Sequence, residues 1–554
     1  MRLINTNSGL FEEFIGLNIP QYAILSHTWE DEEVSFQDIA AGTAYRTKKG
    51  YRKVEMLCRI AMKYGIGYAW IDTCCIDKSS SAELSEAINS MYCWYRDAAV
   101  CYVYLSDLSI DAALDERLPR CRWLTRGWTL QELIAPRWVV FFDSRWNPRA
   151  TKKDIARELS AITRISEDVL LGRGTLSDVS VAQKMSWAAS RETTRLEDVA
   201  YCLLGIFGIN MPLLYGEGNK AFRRLQEQII QTQADFSIFA WRAPMPSGDL
   251  LPLRRRHFCG ILADSPAFFA GCESFIKTTA YDWTTFSISN NGIKIQSHIV
   301  AEVMSESKRN ATYKLPLHCS PNPERPVAVR LRKYGPSQFV REDPYNLAEG
   351  QGVVWPIKAE TSALITDPIW PAYTLHDDMA PFIAKRRSHA LQIEAPVNWN
   401  FLDLWPEGRF DEEDFAFFLV GDNALDSAYI RFCLHTNSLP GRHGERSQTI
   451  ECSFFAVGWS STRREDVYCT LFNSELLGAN MPRLQHVVAA HPWNGDGIMD
   501  VLRYWSVPKE SKIIFALGGS EVLKVSYNLS LESDESVCQS KFWRISFSVD
   551  ILTL

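Results

Sequence analysis

Residues 48–72, KKGYRKVEMLCRIAMKYGIGYAWID, place an amphipathic helix directly ahead of a short apolar strand. Val54, Leu57, Cys58 and Ala61 recur at three- and four-residue spacing and give one apolar face between about Lys48 and Tyr64. Gly65 and Gly67 end that helix, and Tyr68-Ala-Trp-Ile-Asp72 follows as the strand. The same unit recurs on either side. Upstream, Tyr22-Ala-Ile-Leu-Ser26 is a compact apolar run that ends in polar residues. Downstream, a helix from Ala82 to about Arg96 carries Leu84, Ile88, Met91 and Tyr92 on one face, and Val100 to Leu105 is the next strand. Trp128 to Leu133 starts a further helix, and Trp138-Val-Val-Phe-Phe142 is one more buried strand. Strands separated by single helices predict an α/β domain with a mainly parallel sheet covered on both faces.

The pattern changes twice. From about Lys152 to Thr232 it is helical, with apolar spacing over Val199 to Phe207 and Lys220 to Ile230. Beyond Trp241 short β-type runs take over, among them Phe286-Ser-Ile-Ser, Ile293-Lys-Ile-Gln, Ala328-Val-Arg-Leu, Ala416-Phe-Phe-Leu-Val420 and Phe454-Phe-Ala-Val457. The expected organisation is an α/β domain over 1–150, a helical extension over 151–241, and a mostly antiparallel β domain, a sandwich, over 242–554. No repeat of solenoid or propeller length is visible.

Composition narrows the function. The 554 residues are 46% apolar and 23% charged, which supports packed cores. A formal charge of −7 argues against a general affinity for nucleic acid. The run Arg254-Arg255-Arg256 reads as a solvated loop. Fourteen cysteines occur without a C-x-x-C pair, and with no signal peptide this favours reduced thiols in the cytoplasm and no structural zinc. The longest apolar stretch, Ala200 to Tyr215, is broken by Asn210 and Pro212 and is shorter than the ~20 residues of a membrane span.

Three blocks carry a resemblance. Tyr22-Ala-Ile-Leu-Ser-His-Thr-Trp29, Ala69-Trp-Ile-Asp-Thr-Cys-Cys-Ile-Asp77 and Arg126-Gly-Trp-Thr-Leu-Gln-Glu-Leu133 resemble, in order, the signature blocks of the fungal heterokaryon incompatibility (HET) domain. Arg195-Leu-Glu-Asp-Val-Ala-Tyr-Cys-Leu-Leu-Gly-Ile-Phe-Gly208 and Met211-Pro-Leu-Leu-Tyr-Gly-Glu-Gly218 resemble the segment that follows it. The resemblance implies vegetative incompatibility, an innate-immunity-like response in which a non-self protein trigger leads to programmed cell death. It also implies a distant likeness to TIR domains, some of which cleave NAD, and a homo-oligomer is a further expectation for this chain. In those enzymes a helix carries tryptophan and, four residues on, a glutamate followed by leucine. Trp128 and Glu132 have that spacing, which puts them on one helix face.

The chemistry suits one carboxylate. Nicotinamide in NAD is already cationic and leaves without a general acid, so the site has only to stabilise an oxocarbenium-like ribosyl centre. Glu132 is the candidate catalytic group and Trp128 a stacking platform, with NAD as substrate and no cofactor required. Thr129-x-x-Glu132 is equally a capping box, which would explain both residues without catalysis. Ser26, His27 and Trp29 stand where the first strand ends, and Asp72 where the next does, at the ligand edge of an open α/β sheet. These four, with Arg126 for pyrophosphate, are the candidate binding residues. The competing function is a non-enzymatic assembly module in which Arg126 to Leu133 serves packing.

Overall fold

In the computed structural model, residues 1–245 except position 17 are described, as are most of 258–349 and, beyond these, strand segments between 361 and 553. Arg254 to Arg256 lie outside the described residues. The N-terminal sheet contains β1 (Arg2–Asn5), β2 (Phe11–Glu13), β3 (Tyr22–His27), β4 (Tyr68–Trp70), β5 (Val100–Tyr104), β6 (Val139–Phe142) and β7 (Pro148–Thr151), in the order β2-β1-β4-β3-β5-β6-β7. The four central strands are parallel, with Ala23 opposite Ala69, Leu25 opposite Tyr102 and Val103 opposite Phe141. Every residue of β3 is buried, as a central parallel strand covered on both faces requires.

Antiparallel strands close both edges, which the sequence pattern did not reveal. β1 pairs antiparallel with β4 and β2, and β7 pairs antiparallel with β6. Pro148-Arg-Ala-Thr151 has no run of apolar residues and is recognisable only through its pairing with Val140 and Phe141. Such polar, proline-bearing strands belong at edges, where one side of the backbone needs no partner.

The helices are α1 (Phe36–Ala40), α2 (Tyr51–Lys63), α3 (Ser81–Asp97), α4 (Leu114–Arg117), α5 (Thr129–Ile134), α6 (Ala156–Thr163), α7 (Glu167–Leu170), α8 (Val181–Ser186), α9 (Asp198–Tyr201), α10 (Leu204–Phe207) and α11 (Lys220–Thr232). Among the described residues no helix is long and apolar enough to cross a membrane. The helix expected over Val199 to Phe207 is two, α9 and α10, with a turn at Cys202 and Leu203. The break sets Gly205 directly against α3, where no side chain fits: a Cβ at Gly205 would fall inside the Tyr92 side chain.

The β-rich region follows the expected strands at 286–289, 293–296, 328–331 and 454–457, whereas Ala416-Phe417 is a two-residue strand and Leu419 and Val420 lie outside the described residues. Its sheets are antiparallel except where Gln338–Glu342 meets Thr361–Thr366 and Leu391–Glu394 meets Ser540–Thr553. Leu203, Ile206, Leu225 and Ile229 are buried in one core with Ile293, Ile295 and Leu315, so the helical segment and the first β sheet share their interior. The Gln226 amide seals the contact, donating to the Ala263 carbonyl at 2.8 Å and accepting from its N–H at 2.9 Å. A second core gathers from Leu391 onward. Phe454 lies against Phe547 with ring centroids 5.2 Å apart, which joins the sheet of Thr449–Val457 to that of Ser540–Thr553. Gly205→Ala should lower unfolding stability by at least ~2 kcal/mol, the range for forcing atoms into a packed interior. Denaturant titration checks this, and an unchanged midpoint would mean that α10 can move off α3.

Candidate functional site

β3 and α5 meet through a buried carboxyl group. Glu132, the fourth residue of α5 and one turn beyond Trp128, is almost fully buried. The Ser26 hydroxyl, at the end of β3, donates to Glu132 Oε2, and the Trp123 indole N–H donates to Ser26 Oγ at 2.7 Å. Trp123 therefore leaves Ser26 its hydrogen for the carboxyl and fixes the direction in which it points. Burial pushes the Glu132 carboxyl up to about 8; the Ser26 hydrogen bond opposes that rise and the Asp72 charge adds to it.

The capping-box reading of Thr129 and Glu132 is corrected. Trp128 already has helical backbone angles, φ −61° and ψ −36°, so Thr129 sits inside the helix and no side chain caps the start. The Thr129 hydroxyl turns away, donating to the Trp123 carbonyl and accepting from Arg191 at 3.0 Å. The buried Arg191 guanidinium also donates to the Arg126 carbonyl at 2.8 Å, so it satisfies the entry to α5 from the helical extension. Gly127 makes that approach possible, since a Cβ there would stand 2.6 Å from Thr193 Cγ2. At the other end of α5 the buried Lys152 ammonium donates to the Leu133 carbonyl at 3.1 Å and to the Pro136 carbonyl, supplying partners for carbonyls a helix end leaves open.

Glu132 faces a cavity of about 290 Å³ at the carboxyl ends of β3 and β4. His27, Trp29, Asp72, Arg126 and Trp128 line it too. Of the sequence-derived candidates, Ser26 stands apart: it is buried behind Glu132 and acts on the carboxyl, not on the cavity. The His27 ring is buried, with Nε2 3.7 Å from Glu33 and Nδ1 3.9 Å from Asp72, and neither nitrogen has a hydrogen-bond partner among the described residues. Asp72 accepts the Trp29 indole N–H at 2.7 Å. Trp128 donates its indole N–H to Asp198 at 3.2 Å and shares a wall with Glu132, one turn on.

Sequence reasoning missed part of the polar lining. Lys78, Thr194, Arg195, Asp198 and Tyr215 line the cavity as well. Asp198 begins α9, and its carboxylate accepts from both Trp128 and the Tyr215 hydroxyl, the latter at 3.0 Å. Burial raises the Asp198 carboxyl while both hydrogen bonds hold it down. The Arg195 guanidinium lies 4.4 Å over the Tyr215 ring. Glu197 accepts from the backbone N–H groups of Gly216 and Gly218 at 2.7 and 3.0 Å, which fixes the loop that carries Tyr215. The signal for this lining was present in the segment Arg195 to Gly218, whose acids have partners that only the fold brings near. Among the described residues no three His, Cys, Asp or Glu side chains gather into a metal site.

Residues 22–117 match the family Heterokaryon incompatibility protein (HET), and residues 220–307 match DUF8212, a domain of unknown function. The vegetative incompatibility protein HET-E-1 of Podospora anserina is 49% identical over 221 residues, 38% of this chain and 16% of that relative. The chain thus spans about one-sixth of the length of the curated relative it matches. No solved structure matches it. The signature blocks fold into β3, β4 and α5 around one cavity, and the first two of them lie in the region, residues 22–117, that is similar to the heterokaryon incompatibility (HET) family.

Proposed function

We propose that this chain acts in vegetative incompatibility, in the cytoplasm, as an effector of cell death that answers a non-self protein, and that its cavity cleaves NAD. The incompatibility role is supported by the HET match and by the name of the Podospora relative. Catalysis is supported by one observation above the rest: Glu132, His27, Asp72, Arg126 and Trp128 surround a single cavity. Glu132 and Trp128 share its wall with the helical spacing of the TIR enzymes that cleave NAD.

In this reading the nicotinamide ring lies against Trp128 and its ribose against Glu132. The bond between ribose C1′ and the ring nitrogen breaks, and its electron pair neutralises the pyridinium. Glu132, ionised, stabilises the ribosyl cation left behind. Water adds to C1′ and gives up its proton, through the carboxylate, to solvent. Asp72 and the unpartnered nitrogens of His27 meet ribose hydroxyls, and Arg126 at the rim meets a phosphate. Ser26 is a positioning residue that aims Glu132.

A carboxyl at about 8 is mostly protonated in the empty site at neutral pH. A cationic ring at its side favours the ionised form, so substrate entry and proton release are coupled. Accordingly kcat/KM for NAD should rise with pH and level off above about 8, while kcat should level off at lower pH. Ser26→Ala removes a hydrogen bond to the ionised form and should move the kcat/KM midpoint to higher pH. A flat profile in both proteins would exclude Glu132 as the titrating group.

Glu132→Gln keeps size and hydrogen bonding but not charge. It should cut NAD turnover by roughly 10²-fold or more and abolish killing in cells, with the protein still folded. Retained toxicity would end the enzymatic reading and favour the assembly-module alternative. A substrate-free measurement separates folding from catalysis. Because the native pKa is raised from 4.5 to about 8, the native state keeps a proton that the unfolded chain releases. Wild-type stability should therefore fall, by an amount on the order of a few kcal/mol, as pH rises from about 4.5 to 8. Glu132→Gln should lack that part of the decline, as read from denaturant midpoints across the same range.

A further inference from the structure

The cavity around Glu132 has a neighbour. Glu30, Asp31, Lys49, Lys53 and Arg122 surround a second, more open hollow of about 610 Å³, and Trp29 forms a wall of both. The two lie along one edge of the sheet. Trp29 follows the end of β3, and Arg122 is held by Ser106 and Asp107, which follow the end of β5, at 3.4 and 3.7 Å. The carboxyl edge of parallel strands is where extended nucleotides lie in open α/β sheets.

The sizes and chemistries of the two cavities are complementary. The first, about 290 Å³, is at the lower limit of small-molecule sites (~300 Å³) and suits one ring and its ribose. A dinucleotide brings a second nucleoside and two phosphates, for which that space is too small. The second cavity offers polar walls, three cations against two carboxylates. Arg122 and Lys53 share Glu30, at 3.1 and 3.5 Å, whereas the exposed Lys49 ammonium forms no ion pair with a described residue. Trp29 is half-exposed, tied by its N–H to Asp72. Lys78 covers one face of the ring at 3.5 Å and lines only the first cavity, while Trp29 itself lines both.

We propose that the second cavity is a subsite for the adenosine monophosphate half of a dinucleotide whose pyrophosphate passes beside Trp29; this rests on the NAD reading above. The base stacks on the indole face that Lys78 leaves free, as bases do on aromatic platforms. Lys49 and Arg122 meet the phosphate of the adenosine half, the other phosphate being left to Arg126, and Glu30 and Asp31 accept ribose hydroxyls.

Binding of NAD, nicotinamide mononucleotide and adenosine monophosphate to the full chain, followed by calorimetry, tests this. The Lys49→Ala/Arg122→Ala double variant should weaken NAD and adenosine monophosphate at least about tenfold, the loss expected for charge-assisted phosphate contacts. Nicotinamide mononucleotide should bind it as it binds wild type. Equal weakening of all three, or of none, would overturn the subsite. Trp29→Leu should likewise weaken adenosine monophosphate, and unchanged binding there would remove the stacking wall. Adenosine monophosphate held through Lys49 and Arg122 by a chain that turns over no NAD would end the glycohydrolase reading and keep the subsite.

Discussion

A carboxyl group taken out of water must be given partners, or its proton, and this chain gives Glu132 both. Ser26 reaches it from the central strand, Trp123 fixes Ser26, and the raised pKa keeps the group neutral while the site is empty. Those bonds require β3, the turn before α5 and α5 itself to hold their positions to within tenths of an ångström. The buried cations Arg191 and Lys152 serve the same end, one satisfying the entry to the helix and the other its exit. A short helix of six residues could not keep its place through its own hydrogen bonds. It is held because both of its ends are tied to neighbouring segments.

The arrangement explains why so much charge stands around so small a space. Asp72, Asp198 and Glu132 line the cavity together with Lys78, Arg126 and Arg195, and two indoles and a phenol stand among them. Each acid has a donor: Glu132 has Ser26, Asp72 has Trp29, and Asp198 has Trp128 and Tyr215. The aromatic N–H and O–H groups therefore orient the carboxylates while their rings supply apolar surface. The His27 nitrogens are the exception, buried without a hydrogen-bond partner among the described residues and held between the carboxylates of Glu33 and Asp72 at 3.7 and 3.9 Å.

The parallel core of the sheet was legible because its strands are continuous apolar runs and its helices have clean faces; Val54, Leu57 and Ala61 point inward as their spacing required. The edge strands were not, since Arg2–Asn5 and Pro148–Thr151 are strands only by virtue of their neighbours. In the site, sequence spacing brought Trp128 and Glu132 to one wall and strand ends brought His27 and Asp72 to the same place. Local pattern misled at Thr129, where the box T-x-x-E describes a helix beginning one residue later than this one does. Asp198 and Tyr215 escaped notice for a different reason. Their partners lie up to 70 residues away, and no local rule connects them to α5.

The segment 194–215 has one more implication. It walls the cavity, yet it lies outside residues 22–117, the stretch that matches the HET family. α5, which carries Glu132, lies outside that stretch as well. Recombination that carried only the matching stretch into another gene would transplant part of the cavity lining and leave the Glu132 helix and the segment 194–215 behind. The unit that can be inherited, shuffled or fused with its cavity intact extends at least to Tyr215, and the Glu197 clamp on Gly216 and Gly218 places its practical end a few residues further on.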